Sequence, residues 1–418
     1  MHVKVIMNNP AIEDIVSSQI YTDPEALHER YKVMRRTSPI TYIEHPTYRP
    51  FWALVTHKDI SEISKQNDLF INAPRLTLVP KAVEEYLAST GRGRDGSVRT
   101  IIDMDEPDHR KYRNITQSWF LGPGVAKFED RVQTIAKRFI DRMGELGTEC
   151  DFARDIANWY PLHVIMSILG LPEEDAPFIL RSTQAMLAAS DPELQQNQSE
   201  YGTAEFEQLF AYLGTIVEKR RREPTDDLGS VIANGLVDGQ AMGMLETLSY
   251  LMLASTAGHE TTSSSIGGGL LALIQNPDAE KETRQNPDLW STGADEIVRW
   301  VSPIRHFMRT ATRDYAIEDK VIKAGDSVAM FYLSANRDES IFDKPFEFNP
   351  GRTPNRHLGF GVGGHFCLGR LLALTEIRTL MREMQSRVSD IQLNGQPEWV
   401  QSNFVGALKH LPITYRMI

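Results

Sequence analysis

The chain has 418 residues, with 45 Lys and Arg against 56 Asp and Glu, so its formal net charge is −11. This acidic balance argues against a nucleic-acid-binding protein, because phosphate binding needs a clustered excess of Lys and Arg. The two cysteines, Cys150 and Cys367, exclude a disulfide framework and an all-cysteine metal site, and they favour a reducing compartment.

The N-terminal segment does not have the character of a targeting sequence. Residues 1–20 contain Lys4, Glu13 and Asp14 and lack a continuous apolar run, so we expect neither a signal peptide nor a membrane anchor. No segment approaches the ~20 consecutive apolar residues that span a bilayer. We therefore expect a cytoplasmic protein that does not associate with membranes.

Helical patterns dominate the chain, and strand patterns are few and short. Strands are predicted at 51–56 and 327–332, and a long helical segment at 238–275. The strands do not alternate regularly with helices, which argues against a doubly wound dinucleotide fold. Two amphipathic helices are indicated by apolar residues at spacings of three and four: Val125, Phe128, Val132, Ile135, Phe139 and Met143, and then Phe206, Leu209, Phe210, Leu213, Ile216 and Val217.

The segment 360–369 carries Cys367 at the point where a glycine-rich loop enters a predicted helix. The helix dipole and free backbone N–H groups at such a position favour a thiolate. Three interpretations compete here: a buried structural cysteine, a G-x-G-x-x-G dinucleotide motif beginning at Gly359, and a thiolate ligand to iron. The dinucleotide motif requires a preceding strand, whereas residues 349–357 are rich in Pro, Gly, Asn and Arg.

The pattern Phe-Gly-x-Gly-x-His-x-Cys-x-Gly resembles the haem-binding loop of the cytochrome P450 family. The resemblance implies that Cys367 is the thiolate ligand of haem iron, that Phe360 belongs to the haem-binding loop, and that His365 reaches a haem propionate. It also implies one domain, residues 1–418, that is mainly α with small β-sheets in a triangular prism. Haem b would lie between a long kinked helix and the Cys367 helix. Cys150, by contrast, is expected to be a packed strand or turn residue.

Glu296 and Arg299 lie three residues apart and can pair on one helix face. Taken alone, such a pair is usually an ordinary surface pair. It resembles the Glu-x-x-Arg helix of the family, and Arg352 matches the third member of the family's charge network. The chain has Thr353 where the family often has Phe. The implied role is structural, since these residues would hold the loop that carries Cys367.

The segment 257–262, Ala-Gly-His-Glu-Thr-Thr, falls within the long helical segment. Hydroxyl side chains can bond back to the helix and bend it, so a purely structural polar kink is one interpretation. The segment also resembles the family's oxygen-binding kink. That resemblance implies that Thr261 hydrogen-bonds dioxygen, that Glu260 relays protons, and that Gly258 allows close approach over the iron. His259 is expected to face away and pack, with no role.

His109 and Arg113 lie four residues apart and project from one helix face. A solvated charged face is the ordinary interpretation. The segment 105–113 resembles a family element whose His and Arg contact haem propionates, with Glu106 in place of a proline. Arg309 matches a further propionate arginine, and its planar fork suits a carboxylate.

The resemblance extends from the His109 helix to the region of Phe404 and is greatest to bacterial monoterpene-hydroxylating members. It implies insertion of one atom of O₂ into a C–H bond of a small apolar molecule, such as a terpenoid or an alkylbenzene. Leu253 and Thr256 precede Thr261 by one to two helical turns and are expected to touch substrate. Phe307 and Phe404 match substrate-contact regions of the family.

The chain has no flavin or nicotinamide domain, so the electrons must come from another protein. The resemblance implies a ferredoxin with its NAD(P)H-dependent reductase, docking near Arg110 and Lys111. A peroxide-using or dehydrating haem-thiolate enzyme is one alternative, and the Glu260–Thr261 pair argues against it. A haem-binding sensor is a second alternative, and it would need no proton relay.

Overall fold

The computed structural model describes residues 15–89, 99–187, 190–195 and 203–418. Most of the N-terminal segment discussed above, residues 1–14, therefore lies outside the described residues. Within the described ranges the chain is mainly helical with small sheets, as the sequence predicts.

The helices make up most of the described chain. Short 3-10 turns lie at Ser18–Thr22, Gln117–Phe120, Glu173–Asp175 and Pro287–Leu289, and a π-helical turn lies at Ala153–Ala157. The α-helices, in chain order, are α1 (Pro24–Thr37), α2 (His57–Ser64), α3 (Lys81–Ser89), α4 (Asp108–Thr116), α5 (Gly122–Ala126), α6 (Glu129–Leu146), α7 (Tyr160–Leu169), α8 (Ala176–Leu187), α9 (Thr203–Arg222), α10 (Leu228–Ala233), α11 (Met244–Ala257), α12 (Glu260–Gln275), α13 (Pro277–Gln285), α14 (Trp290–Val301), α15 (Tyr332–Ala335) and α16 (Arg370–Arg387).

The strands are short and form small sheets. They are β1 (Ile40–Ile43), β2 (Phe51–Leu54), β3 (Phe70–Ile71), β4 (Glu149–Asp151), β5 (Leu236–Val237), β6 (Gln240–Ala241), β7 (His306–Ala311), β8 (Tyr315–Ile317), β9 (Lys320–Ile322), β10 (Ser327–Phe331), β11 (Val388–Leu393), β12 (Glu398–Trp399), β13 (Leu408–His410) and β14 (Pro412–Met417). A five-stranded sheet has the order β1-β2-β10-β7-β3, and a three-stranded sheet has the order β11-β14-β4. The pairs β5–β6, β8–β9 and β12–β13 form two-stranded sheets.

The predicted helical segment 238–275 differs from the structure at two points. Residues Leu236–Ala241 form a hairpin, β5–β6, because Asp238 and Gly239 both adopt a positive φ, of 50° and 79°, which suits a tight turn between antiparallel strands. The helix is also broken, since α11 ends at Ala257 and α12 begins at Glu260. At the predicted kink, the helix is therefore interrupted completely for two residues, Gly258 and His259.

Helix α12 is buried along almost its whole length, and glycines let α14 approach it closely. A Cβ added at Gly268 would lie 2.6 Å from the Val301 side chain, and one added at Gly269 would lie 2.7 Å from the Ile297 side chain. Each clash is with a side chain of α14, so larger residues at these positions would force the helices apart. This packing fixes α14, which carries Glu296 and Arg299, against the broken helix.

A cluster of charged groups joins the segment after α8 to the C-terminal sheets. His410 lies 2.6 Å from Asp151 Oδ2 through Nδ1 and 2.8 Å from Glu193 Oε1 through Nε2. Lys409 Nζ lies 2.9 Å from the other oxygen of Glu193. Burial alone would lower the pKa of His410, but its hydrogen bonds to Asp151 and Glu193 outweigh this and raise the pKa above 6.5.

This raised pKa predicts a pH-dependent contribution to stability. A group whose pKa is higher in the folded state stabilises the fold fully below its unfolded pKa, near 6.5, and the contribution is lost as pH rises through the raised value. We expect the free energy of unfolding, measured by urea titration, to fall over that range in wild type. His410→Gln should remove this component of the slope. An unchanged slope would contradict the assignment.

Candidate active site

One cavity in the interior gathers every residue that the sequence predicted to touch a cofactor or a substrate. Its lining comes mainly from the broken helix α11–α12 and from the cysteine loop with the start of α16. Further walls come from α4, from the start of β7 and from the loop after β12. The predicted residues that line it are His109, Arg113, Leu253, Thr256, Gly258, Glu260, Thr261, Phe307, Arg309, Phe360, His365, Cys367 and Phe404.

The cysteine loop is a tight structure that glycine makes possible. Gly361 and Gly363 have positive φ values of 69° and 85°, which favour glycine. A side chain at Gly363 would also collide with the backbone of Ser64 at the end of α2. The Cys367 N–H donates to the carbonyl of Phe360 over 2.9 Å, which closes the loop immediately before α16.

The surroundings of the Cys367 sulfur suit a ligand to a cation. Burial raises the pKa of the Cys367 thiol, while the backbone N–H groups of Gly369 and Arg370 and the charge of Arg113 favour the thiolate. A buried thiol of this kind gains a charge-balancing partner when a metal ion binds beside it. Its location on the cavity wall leaves the sulfur accessible to such a group.

Glu296, Arg299 and Arg352 meet in a buried charge network. Glu296 and Arg299 form two hydrogen bonds of 2.7 Å, and both side chains are 0% exposed. Arg352 Nε lies 3.1 Å from Glu296 Oε2. Arg299 also donates to the carbonyls of Asn336 and Pro345. Helix α14 is thereby tied to the segment that leads into the cysteine loop.

Four nitrogen-bearing side chains converge at one part of the cavity. The rings of His109 and His365 lie 4.0 Å apart between centroids. Arg113 donates to the Phe366 carbonyl over 2.8 Å, and Arg309 donates to the Met308 carbonyl over 2.7 Å. Burial lowers the pKa of His109, Arg113, His365 and Arg309, and neighbouring cations lower it further at the two histidines.

The buried Nε of Arg309 has no hydrogen-bond partner within the described ranges of the chain. Such an unused donor is costly unless an acceptor arrives. Carboxylates of a bound cofactor would satisfy it and would also offset the gathered positive charge. The cavity therefore fits a group that carries acidic side arms at this end and a metal ion near Cys367, and a haem has both features.

The break between α11 and α12 places a hydroxyl and a carboxyl beside the cavity. The Thr261 hydroxyl donates to the Ala257 carbonyl over a long 3.3 Å. A Cβ at Gly258 would lie 2.7 Å from both the Ala254 carbonyl and the Ile165 side chain of α7. The clash shows that glycine is needed here for packing against α7, a reason that the sequence did not suggest.

His259 is fully buried, as expected, but its ring has polar partners. Its Nε2 lies 3.2 Å from Glu260 Oε1 and 3.1 Å from the Thr183 hydroxyl of α8. Thr183 also donates to Glu260 Oε1 over 3.2 Å. No local motif in α8 marks Thr183, so its role could not be predicted from the sequence.

The substrate-side residues present apolar surface to the cavity. The Thr256 hydroxyl donates to the Met252 carbonyl over 3.0 Å, so its polar atom is occupied within the helix. Phe307 and Phe404 pack edge to face, with ring centroids 5.7 Å apart. Sequence reasoning missed further apolar residues that line the cavity, including Leu76, Ile101, Ile102, Ile165, Leu228 and Ile232.

The predicted docking residues differ in their availability. Lys111 is ion-paired with Asp238 of the β5–β6 turn, with 2.5 Å between Nζ and Oδ2. The hydrogen bond and charge of Asp238 raise the pKa of Lys111. The Arg110 side chain is 77% exposed, with its Nε 3.7 Å from Glu106. Arg110 is therefore the more accessible cation of the two.

Known proteins resemble this chain over nearly its full length. Residues 293–389 match the family described as Cytochrome P450. Cytochrome P450-terp of a Pseudomonas species is 35% identical over 411 residues, covering 96% of each chain. Linalool 8-monooxygenase of Pseudomonas putida is 30% identical, covering 96% of this chain and 98% of its own. The crystal structure of CYP108D1 from Novosphingobium aromaticivorans superposes with a TM-score of 0.90, at 35% identity and 98% coverage of both chains.

The chain belongs to the cytochrome P450 family. It is an oxidoreductase of the monooxygenase class, with haem as the cofactor that the family implies. The predicted fold class is confirmed: mainly α with small sheets in a single-domain cytochrome P450 fold, while the bounds 1–418 stay a prediction. Among the described residues, none of the helices is both long enough and apolar enough to cross a membrane.

Proposed function

We propose that the protein hydroxylates a small hydrophobic molecule, a monoterpenoid or an alkylbenzene-like compound, using O₂ and electrons from a ferredoxin. One observation carries this proposal: Cys367 and the Glu260–Thr261 pair line the same apolar-walled cavity. Bound haem b would supply the oxidation of the C–H bond, and the protein would supply ligation, protons and a dry pocket.

Cys367 would hold the iron, and the four converging nitrogen groups would hold the propionates. Arg309 and Arg113 offer guanidinium donors, and the stacked His109 and His365 lie beside them. Phe360 lines the same cavity, and the guanidinium of Arg370 lies 5.5 Å from its ring centroid. The Glu296–Arg299–Arg352 network would keep this loop in place without touching the cofactor.

Glu260 and Thr261 would deliver protons. The broken helix leaves Thr261 with only a long bond to Ala257, so its hydroxyl can turn to a bound substrate molecule such as O₂. Glu260 immediately precedes Thr261 at the start of α12 and is a buried acid in the lining of the same cavity. A hydroxyl beside an acid is the arrangement that general acid catalysis requires.

The proposed substrate class rests on the cavity wall and on the relatives. Leu253, Phe307 and Phe404 give the wall apolar surface, and the Thr256 hydroxyl is occupied within its helix. A wall of this kind binds through burial of apolar area, with little need for polar groups on the ligand. The names P450-terp and linalool 8-monooxygenase support a terpenoid.

Phe404→Ala should change both affinity and selectivity. It removes one ring of the Phe307–Phe404 pair and enlarges the cavity, which costs a bound terpenoid about 1 to 3 kcal/mol of apolar contact, or about 10- to 200-fold in affinity. The measurement is a spin-state titration of the ferric protein, with analysis of the hydroxylated positions. Unchanged affinity and product distribution would exclude Phe404 from the substrate wall.

The electrons would come from an iron–sulfur ferredoxin and its NAD(P)H-dependent reductase in the cytoplasm. Exposed Arg110 offers a positive charge for an acidic partner. Phe366 and Leu371, which flank the cysteine turn, are 41% and 37% exposed and add apolar surface near the loop. Lys111 would need to leave Asp238 before it could contribute.

The deciding experiment is an NADH- and ferredoxin-dependent turnover assay with a panel of terpenoids and alkylbenzenes. Thr261→Ala should consume NADH but form at least about tenfold less product, because general acid steps commonly contribute 10² to 10⁴ in rate. Ser263→Ala, which removes a hydroxyl of the same helix that bonds to Asn158, is the matched control. Product from hydrogen peroxide alone, insensitive to Thr261→Ala, would overturn the proposal.

A further inference from the structure

Three polar atoms meet in the interior where α8 touches the break between α11 and α12. They are His259 Nε2, Glu260 Oε1 and Thr183 Oγ1, and each lies 3.1 to 3.2 Å from the other two. His259 is 0% exposed and Glu260 is 9% exposed, so water competes little for these contacts. The group adjoins the acid of the proposed proton path.

The hydrogen bonds around His259 fix which of its nitrogens carries a proton. Nδ1 lies 2.7 Å from the carbonyl oxygen of Ser255, and a carbonyl only accepts. Nδ1 must therefore carry hydrogen. In a neutral imidazole the other nitrogen, Nε2, would then be bare and could only accept.

The three atoms need one more proton than neutral His259 and ionised Glu260 provide. Within the described ranges, the one hydrogen then available to these atoms is the Thr183 hydroxyl proton, for which the Leu180 carbonyl at 3.0 Å also competes. Nε2 and Oε1 would face each other with lone pairs across 3.2 Å in a buried site. Such an unpaired buried contact is unfavourable, and one added proton removes the conflict.

We propose that His259 and Glu260 share one exchangeable proton between Nε2 and Oε1, with the Thr183 hydroxyl as their fixed third partner. His259 is then a positioning residue that holds a proton at the carboxyl of Glu260, next to Thr261. The proton leaves through Glu260 toward Thr261 and is replaced by one from solvent. This inference rests on the proposed function and deepens it by naming His259 as the residue that supplies Glu260 with a proton.

The shared proton also links the acid to α8. Thr183 is the α8 residue that contacts both members of the pair, and its own position is set by its bond to Leu180 within that helix. A movement of α8 that withdraws Thr183 would leave Glu260 with His259 alone. The hydrogen bonding of Glu260 would therefore respond to the position of α8, while the proton shared with His259 would remain.

The proton itself is tested by ¹⁵N-histidine NMR on the diamagnetic carbon monoxide complex of the reduced protein, with His259→Gln for assignment. The decisive variant is Thr183→Val, which removes the only competing donor to Nε2 among the contacts above. We expect Nε2 of His259 to remain protonated or hydrogen-bonded in Thr183→Val. A bare, unbonded Nε2 in that variant would overturn the shared proton.

The role in turnover is tested separately, with Ser263→Ala as the matched control on the same helix. His259→Gln keeps a side chain of similar reach but has no group that can take up or release a proton near neutral pH. We expect product formed per NADH consumed to fall about tenfold or more and the solvent isotope effect to rise, with the carbon monoxide spectrum retained. Coupling equal to that of Ser263→Ala would overturn the role of His259. A wild-type protein that forms no product would overturn the proposed function. The NMR result would still decide whether His259 and Glu260 share a proton.

Discussion

Replacing Cys367 with histidine is expected to abolish monooxygenation while leaving a haem-binding protein. A neutral imidazole cannot donate electron density as a thiolate does, and that donation favours cleavage of the O–O bond. The loss of monooxygenase activity should be larger than about 10- to 100-fold, which is the usual effect of replacing a residue that is hydrogen-bonded to a metal ligand. The carbon monoxide complex of the reduced variant should show a histidine-type spectrum.

Cys150→Ala is the matched control for that experiment. Cys150 lies in β4, away from the cavity wall, and burial raises the pKa of its thiol to about 12, so it is held as a neutral packed side chain. Its replacement should leave the thiolate-type spectrum of the wild type unchanged. A thiolate spectrum that survives Cys367→His, or one that disappears in Cys150→Ala, would contradict the assignment of the ligand.

Glu296→Ala is expected to be the most destabilising single substitution in the framework of the site. It leaves Arg299 and Arg352 buried beside each other without their shared carboxylate. Removing one member of a buried ion pair typically costs about 3 to 5 kcal/mol, a large share of the stability of an ordinary domain. Urea unfolding followed by circular dichroism measures the cost.

Asp288→Ala provides the comparison on the surface. Asp288 pairs with Arg382 at 3.3 Å, but its side chain is 98% exposed. Exposed pairs contribute little that can be measured. A change in unfolding free energy for Glu296→Ala no larger than that for Asp288→Ala would show that the buried network does not hold the loop. Haem content, measured in the same samples, should fall together with stability in Glu296→Ala and stay unchanged in Asp288→Ala.

Local motifs made much of the site predictable from the sequence. Residues such as Glu296 and Arg299, or His109 and Arg113, lie three or four positions apart, so one helical turn is enough to place them together. The glycine-rich loop before Cys367 likewise carries its information within ten residues. Short-range patterns also predict the mainly helical fold class, because amphipathic periodicity can be recognised in the sequence before any tertiary contact is known.

The parts that could not be predicted depend on contacts between segments distant in sequence. Thr183 reaches Glu260 from another helix, and nothing in α8 indicates that partner. Leu76 and Ile101 come to the cavity from irregular chain, where no periodicity applies. A second reason for glycine at position 258 could not be predicted for the same cause, because the clash that a side chain would make is with Ile165 of α7. The helix predicted to start at residue 238 begins at Met244 in the structure. A tight turn at Asp238 and Gly239 cannot be recognised when the surrounding residues follow a helical pattern.

Two kinds of support hold the two ends of the cavity. Arg309 extends from β7, which is hydrogen-bonded on both sides, to β10 and to β3. Glu260 meets α8 through the single hydroxyl of Thr183. We expect backbone amides around Arg309 to open only with high free energy, because two neighbouring strands hold β7, whereas a single side-chain bond can be lost in a small local opening. If the site works as proposed, the end that would hold the cofactor is the one protected from hydrogen exchange, and the end that would deliver protons is the one that a local opening can loosen.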